Sequence, residues 1–206
     1  MRKCGPCQKG LEQYCIKGEI WTYIGFETQN GMTSPTQGGY SSKIVVDENY
    51  VLRIPDNLSL ARSAPLLCTG ITLYSPLKHW KAGPRKKVAI IGLGGLGNIG
   101  VKLAHAMGAE VTVLSHMLKK QEEAKKMGAD NFYTTSEPDV FKSLKGNFDL
   151  LINTILVEIN VNRYLKLLTV DGVMVFVALR ERTVDWCFFT SKQQAQSCRL
   201  GDWRNP

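Results

Sequence analysis

Two groups of residues in this 206-residue chain have types and spacings that could do chemistry. The first is the run Gly92-Leu93-Gly94-Gly95-Leu96-Gly97. It directly follows the apolar stretch Lys87-Val88-Ala89-Ile90-Ile91 and opens a helical pattern. In that setting a Gly-x-Gly-x-x-Gly run has a mechanical reading. Gly92 permits a tight turn. Gly94 lets the backbone approach a pyrophosphate, which the free N–H groups of the next helix attract. Gly97 lets that helix pack closely on the strand. The second group is Cys4, Cys7 and Cys15, spaced C-x2-C-x7-C. Three thiolates this close suit a tetrahedral structural zinc, which needs a fourth ligand. Cys68 stands apart, and taken alone it reads as a buried apolar residue rather than a ligand.

A third stretch decides which dinucleotide the glycine run would take. The next strand pattern, Glu110-Val111-Thr112-Val113-Leu114, runs into Ser115-His116-Met117-Leu118-Lys119-Lys120. A carboxylate at that place binds the ribose 2′-hydroxyl of NAD, whereas a cation favours the 2′-phosphate of NADP. The first carboxylate here is Glu122, while Ser115 can donate a hydrogen bond and Lys119 or Lys120 can supply charge. NADP is therefore favoured over NAD. The lysines also suit a solvated first helical turn, although cations sit unfavourably at a helix N-terminus. Thr154, just past the fourth strand pattern, completes the candidate cofactor contacts.

These residues need a scaffold, and the patterning supplies one. From Lys86 the chain alternates strand and helix: strands at 87–91, 110–114, 131–133, 148–152 and 173–179, and helices at 96–107, 119–127 and 161–168. Alternation of this kind implies a parallel Rossmann-type sheet of about five strands with right-handed crossovers. Leu58 to Trp80 has apolar residues at helical spacing and reads as one or two linking helices. Residues 21–60 look β-like, with strand patterns at 43–46 and 50–55 and a turn at Gln37-Gly38-Gly39-Tyr40. Residues 180–206 show no periodicity and are expected to be poorly ordered. The net charge is +8, but the lysines are scattered apart from clusters at 78–87 and 119–126, so nucleic-acid binding is not expected. No apolar run approaches the ~18 residues of a membrane span. The N-terminus lacks a secretory pattern, so a cytoplasmic location is expected.

Taken together, the chain resembles the zinc-dependent medium-chain alcohol dehydrogenases, especially their cinnamyl-alcohol-dehydrogenase-like, NADP-dependent branch. The segments that carry the resemblance are Cys4-Gly5-Pro6-Cys7 through Glu12-Gln13-Tyr14-Cys15, Gln37-Gly38-Gly39-Tyr40, Ala64-Pro65-Leu66-Leu67-Cys68, Tyr74-Ser75-Pro76-Leu77, Gly92 to Gly97, and Met127-Gly128-Ala129-Asp130. The resemblance spans about residues 2–179. It implies part of a GroES-like substrate domain over 1–60, connecting helices over 61–85 and a Rossmann domain over 86–179. It also implies hydride transfer between NADPH and a small aldehyde, with zinc as Lewis acid on the carbonyl oxygen. By position, Cys68 matches a catalytic-zinc ligand and Thr72 a cofactor-contacting threonine. Ser115 and Lys120 match the 2′-phosphate site, and Cys4, Cys7 and Cys15 match three of four structural-zinc ligands.

The sequence also departs from that family. Met1 stands where the family has its other structural-zinc cysteine, and a thioether is a poor zinc ligand beside thiolates. The family's remaining catalytic-zinc ligands, a cysteine and a Gly-His-Glu segment, have no counterpart here, and His79, His105 and His116 match neither. Either impaired catalysis or a non-catalytic dinucleotide-binding remnant is therefore expected. The sequence does not give the oligomeric state. Residues 180–206 diverge as well. Back-translated and read one nucleotide later, Ser197 to Asn205 can give Leu-Val-Gly-Ser-Val-Ile-Gly-Gly-Ile, like a family segment, so a frameshifted tail is expected.

Overall fold

The computed structural model describes residues 2–18, 23–39, 42–137, 139–178 and 196–199. Two compact units emerge, one drawn mainly from Met1–Asn57 and the other from Leu58–Gly201. In the first, a short helix α1 (Gly5–Gln8) follows Cys4, and a 3-10 turn over Glu12–Tyr14 leads to Cys15. Strands β1 (Tyr23–Gln29) and β2 (Met32–Gln37) pair antiparallel. Their turn is Asn30-Gly31, with φ of 52° and 78°. Two successive positive φ values match the right-handed twist of a hairpin, and Asn-Gly is the pair that adopts them most readily.

Two expected strands do not form in this unit. Residues 43–46 and 51–54 run without strand pairing, and Glu48–Tyr50 is a 3-10 turn capped by the Asp47 side chain. The reason is a lack of partners. Val45 is 99% exposed and Leu52 72% exposed, so among the described residues no strand or apolar layer covers either run. A strand pattern needs such a layer to pay off.

The second unit is an α/β sandwich. Helix α2 (Leu60–Ser63), a 3-10 turn (Ala64–Leu67) and helix α3 (Thr69–His79) lead into it. Then follow β3 (Lys87–Ile91), α4 (Gly95–Ala106), β4 (Glu110–Ser115), α5 (Gln121–Lys126), β5 (Asn131–Thr134), α6 (Val140–Ser143), β6 (Phe148–Asn153), α7 (Val161–Leu165), β7 (Leu168–Phe176) and β8 (Gln196–Arg199). The strands lie in the order β5-β4-β3-β6-β7-β8, all parallel. The five expected strands are present. Gln196–Arg199 pairs with Val173–Phe176 as a further strand at the edge of the expected sheet. The residues on either side of it lie outside those described. So does part of the expected turn, at Tyr40.

Both faces of the sheet are buried. Val88, Ile90, Val111, Val113, Leu150 and Ile152 meet Leu73 and Leu77 of α3 and Val101 and Ala104 of α4. Ala89, Ile91, Leu114 and Leu151 meet Val140 of α6 and Val161 and Tyr164 of α7. Burial on two faces explains why these strands read as continuous apolar runs. Helix α7 is shorter than expected, and β7 starts earlier. Leu168 already pairs with Phe148, and the strand then bulges at Asp171 (φ 62°) and Gly172. No helix among the described residues is long and apolar enough to cross a membrane.

Candidate functional site

Strand order turns back on itself between β3 and β6, whose ends meet at the pair Ile91 and Asn153. In open parallel sheets a crevice forms at such a point, beyond the carboxyl ends of the strands. The glycine run occupies it. Gly92 has φ +89°, and a Cβ there would strike the Ile155 side chain. Its N–H donates to the Leu114 carbonyl at 2.8 Å, which ties the turn to β4. A Cβ on Gly97 would strike the Gly92 carbonyl oxygen, so α4 lies as close to the turn as glycine allows. Gly94 and Gly95 are different, because no atom lies within 4 Å of a Cβ built on either. They face open space, as a seat for a ligand's backbone-hugging group must. Gly94 is the N-cap of α4 and brings no side-chain cap. The first N–H groups of the helix are thus left for an outside acceptor, at the positive end of its dipole. A pyrophosphate fits this cradle on its chemistry. Leu93 and Leu96 face inward and contribute packing: Leu93 is buried and Leu96 half-buried against the first core.

Thr154 and Asn153 form the opposite wall. The Thr154 hydroxyl donates to the Ile91 carbonyl at 2.8 Å, closing the β3–β6 seam. Asn153 is 1% exposed, and its Nδ2 donates to the Ile155 carbonyl at 3.2 Å. Among the described residues its Oδ1 has no hydrogen-bond partner. Asn153 extends this strand one residue beyond its expected end at Ile152. The available signal was a polar residue ending an otherwise apolar run.

At the end of β4, Ser115 is buried, and its Oγ accepts from the Met117 N–H at 3.4 Å. Its carbonyl accepts from the Thr135 N–H at 2.9 Å, so the β4 and β5 ends are held together. A 3-10 turn over Leu118–Lys120 follows, before α5. Lys119 is exposed. Lys120 is half-buried, and its ammonium donates to the Leu93 carbonyl at 2.6 Å. Lys120 and the glycine run are therefore in direct contact, which spacing alone did not reveal. On α3, Cys68 is the exposed N-cap, and Thr72 lies one turn on, its N–H bonded to the Cys68 carbonyl at 3.0 Å. Cys68 is exposed rather than buried, against the reading of that residue alone. Pro76 cannot donate to the Thr72 carbonyl, so that acceptor lacks its usual helical donor.

The first unit brings Cys4, Cys7 and Cys15 together. Their sulfurs all lie within 4.8 Å of one another, with Cys4 and Cys7 at 3.3 Å and Cys4 and Cys15 at 3.9 Å. Three corners of a zinc tetrahedron with bonds of about 2.3 Å are roughly 3.8 Å apart, so the set fits. Backbone N–H groups of Cys7 and Ile16 donate to the Cys4 sulfur and pull that thiol down to about 7. Burial pushes the Cys7 thiol up. Among the described residues no other group of three or more His, Cys, Asp or Glu side chains converges. Cys68 thus has no such set around it.

Comparison with known proteins places this geometry. The profile of the family described as zinc-binding dehydrogenase matches residues 95–199, through β8. The NADP-dependent alcohol dehydrogenase C of Mycobacterium tuberculosis is 57% identical over 182 residues, covering 87% of this chain and 51% of that protein. The chain spans about half the length of the curated relatives it matches. Among solved structures, the cinnamyl alcohol dehydrogenase of Helicobacter pylori complexed with NADP(H) superposes with a TM-score of 0.79 at 39% identity, covering 95% of this chain and 56% of that one. A cinnamyl alcohol dehydrogenase of Sorghum bicolor gives 0.78 at 34% identity, covering 88% and 53%.

Proposed function

The chain belongs to the zinc-binding dehydrogenase family, and from that premise we propose that its second unit binds NADP for hydride transfer between NADPH and a small aldehyde. One observation carries the reading. The open cradle at Gly94 and Gly95 caps α4, and Lys120 reaches its loop from a β4 end that has no carboxylate. Gly94, Gly95 and the α4 N-terminus would take the pyrophosphate. Ser115, Lys119 and Lys120 would take the 2′-phosphate, which is the choice of NADP over NAD. Thr154 and Thr72 would border the rest of the cofactor. The names of the M. tuberculosis and H. pylori relatives support the same assignment. When bound, NADPH supplies the hydride.

The metal sites divide. Cys4, Cys7 and Cys15 would hold a structural zinc from three corners. A catalytic zinc does not fit Cys68 alone, and no step here runs through it. Polarising a carbonyl by metal is worth several kcal/mol of transition-state stabilisation. The 206-residue chain by itself is therefore expected to bind cofactor without efficient turnover. The test is NADPH oxidation with cinnamaldehyde and added zinc, beside a Cys68→Ala control. Equal, background rates are expected. Turnover well above the control would overturn the inactive reading and leave cofactor binding intact.

A further inference from the structure

Lys120 does something that reading a phosphate does not require. Its ammonium holds the carbonyl of Leu93 at 2.6 Å, 27 residues away in sequence. That carbonyl lies outside the α4 ladder, whose first acceptor is Gly94, bonded by the Asn98 N–H at 2.9 Å. Leu93 sits between Gly92, at φ +89°, and Gly94, at φ −103° and ψ −159°. Gly94 has no Cβ, so on its side few steric barriers keep the Leu93–Gly94 peptide plane in one orientation. The Leu93 side chain, 6% exposed, anchors one side of it in the core. The Lys120 bond fixes the other side. In a planar trans peptide the Leu93 C=O and the Gly94 N–H point in opposite directions, so pinning the oxygen also aims the N–H. An ammonium has three donors, and one bond to Leu93 leaves two for an anion.

We propose that Lys120 is a positioning residue as well as a charge: it holds the Leu93–Gly94 peptide in its ligand-ready orientation, so its loss weakens every dinucleotide, with or without a 2′-phosphate. This rests on the reading that the glycine run seats the pyrophosphate of NADP. A residue that only reads the 2′-phosphate would leave NADH binding untouched. A strut would not.

The experiment compares wild type, Lys120→Met and Lys120→Arg for NADPH and NADH affinity by nicotinamide fluorescence. It also measures amide hydrogen exchange over residues 92–97 without cofactor. In Lys120→Met, NADPH binding should fall most, and NADH binding should also fall, by about three- to tenfold, the worth of one hydrogen bond. Exchange over 92–97 should quicken by a similar factor, and Lys120→Arg, which keeps a charged donor, should restore slow exchange. Should Lys120→Met fail to fold, Lys120→Leu, which also has no donor, gives the same readouts. Wild-type NADH affinity together with wild-type loop exchange in the variant would overturn the proposal. If wild type itself shows no preference for NADPH, the cofactor reading fails, and the loop-exchange comparison still decides the strut.

Discussion

Replacing Gly97 with alanine should damage both fold and cofactor binding, and the structure sets the size of the effect. A methyl at Gly97 would strike the Gly92 carbonyl oxygen and lie 3.0 Å from its carbon. These are backbone atoms in a turn at φ +89°, so they cannot rotate aside as a flexible side chain would. Overpacking costs about 1–3 kcal/mol, and rigid backbone argues for the upper end. Alanine regains about 0.5–1 kcal/mol over glycine within a helix. The net loss is then roughly 1–2 kcal/mol, or a fall in Tm of about 2–8 °C for a domain of this size. Moving α4 off the turn also displaces its N-terminus, so NADPH affinity should drop by at least about tenfold, or 1.4 kcal/mol. Gly95→Ala is the companion variant. Its methyl meets nothing, so Tm should hold or rise slightly while NADPH affinity falls, because the methyl fills the cradle. Thermal melts and fluorescence titration read both. A Gly97→Ala protein with wild-type Tm and affinity, or a Gly95→Ala protein that binds NADPH normally, would rule out the cradle.

Three further outcomes follow from other parts of the chain. Ser115→Asp places a carboxylate at the end of β4, so NADPH should weaken and NADH strengthen until their order reverses; an unchanged order in paired titrations would count against the 2′-phosphate assignment. The Cys4, Cys7 and Cys15 cluster should retain about one zinc per chain after dialysis, and Cys7→Ser should lose it, as metal analysis would show; equal zinc in both proteins would contradict the site. Burial, against one hydrogen bond with Thr135, raises the Tyr164 phenol above its ordinary value. The unfolded chain then ionises first, so the Tyr164 contribution is full below about pH 10 and is lost as pH rises through the raised folded value. Tyr164→Phe should flatten that alkaline fall in denaturant melts, and an unaltered slope would rule the explanation out.

The sheet was legible because its strands are buried on both faces. Runs such as Val88-Ala89-Ile90-Ile91 have to be apolar throughout, and the glycines between strand and helix mark the turn. The glycine cradle was legible from its spacing after an apolar strand: Gly92 and Gly97 are required by close contacts, and Gly94 and Gly95 leave the space open. Strand β8 was not, because the sequence from 180 to 206 shows no periodicity. Residues 43–46 and 50–55 misled in the other direction. Their β-branched and aromatic pattern suits a strand, but among the described residues no apolar layer covers them, and propensity without packing does not make a sheet. The Asn30-Gly31 hairpin was readable from its dipeptide and went unread. Ser115 and Lys120 stood out as charge and hydrogen-bond donors. The Lys120 bond to Leu93 spans two loops whose approach only the folded sheet determines. The Asn153 Oδ1, partnerless among the described residues, is likewise a property of burial rather than of spacing.

Paired equilibrium titrations of the purified chain with NADPH and NADH, at one salt concentration, test the central claim most directly. Saturable NADPH binding at least about tenfold tighter than NADH is expected, equivalent to 1.4 kcal/mol from the 2′-phosphate contacts. NADH binding as tightly as NADPH, or neither cofactor binding at high micromolar concentration, would contradict it.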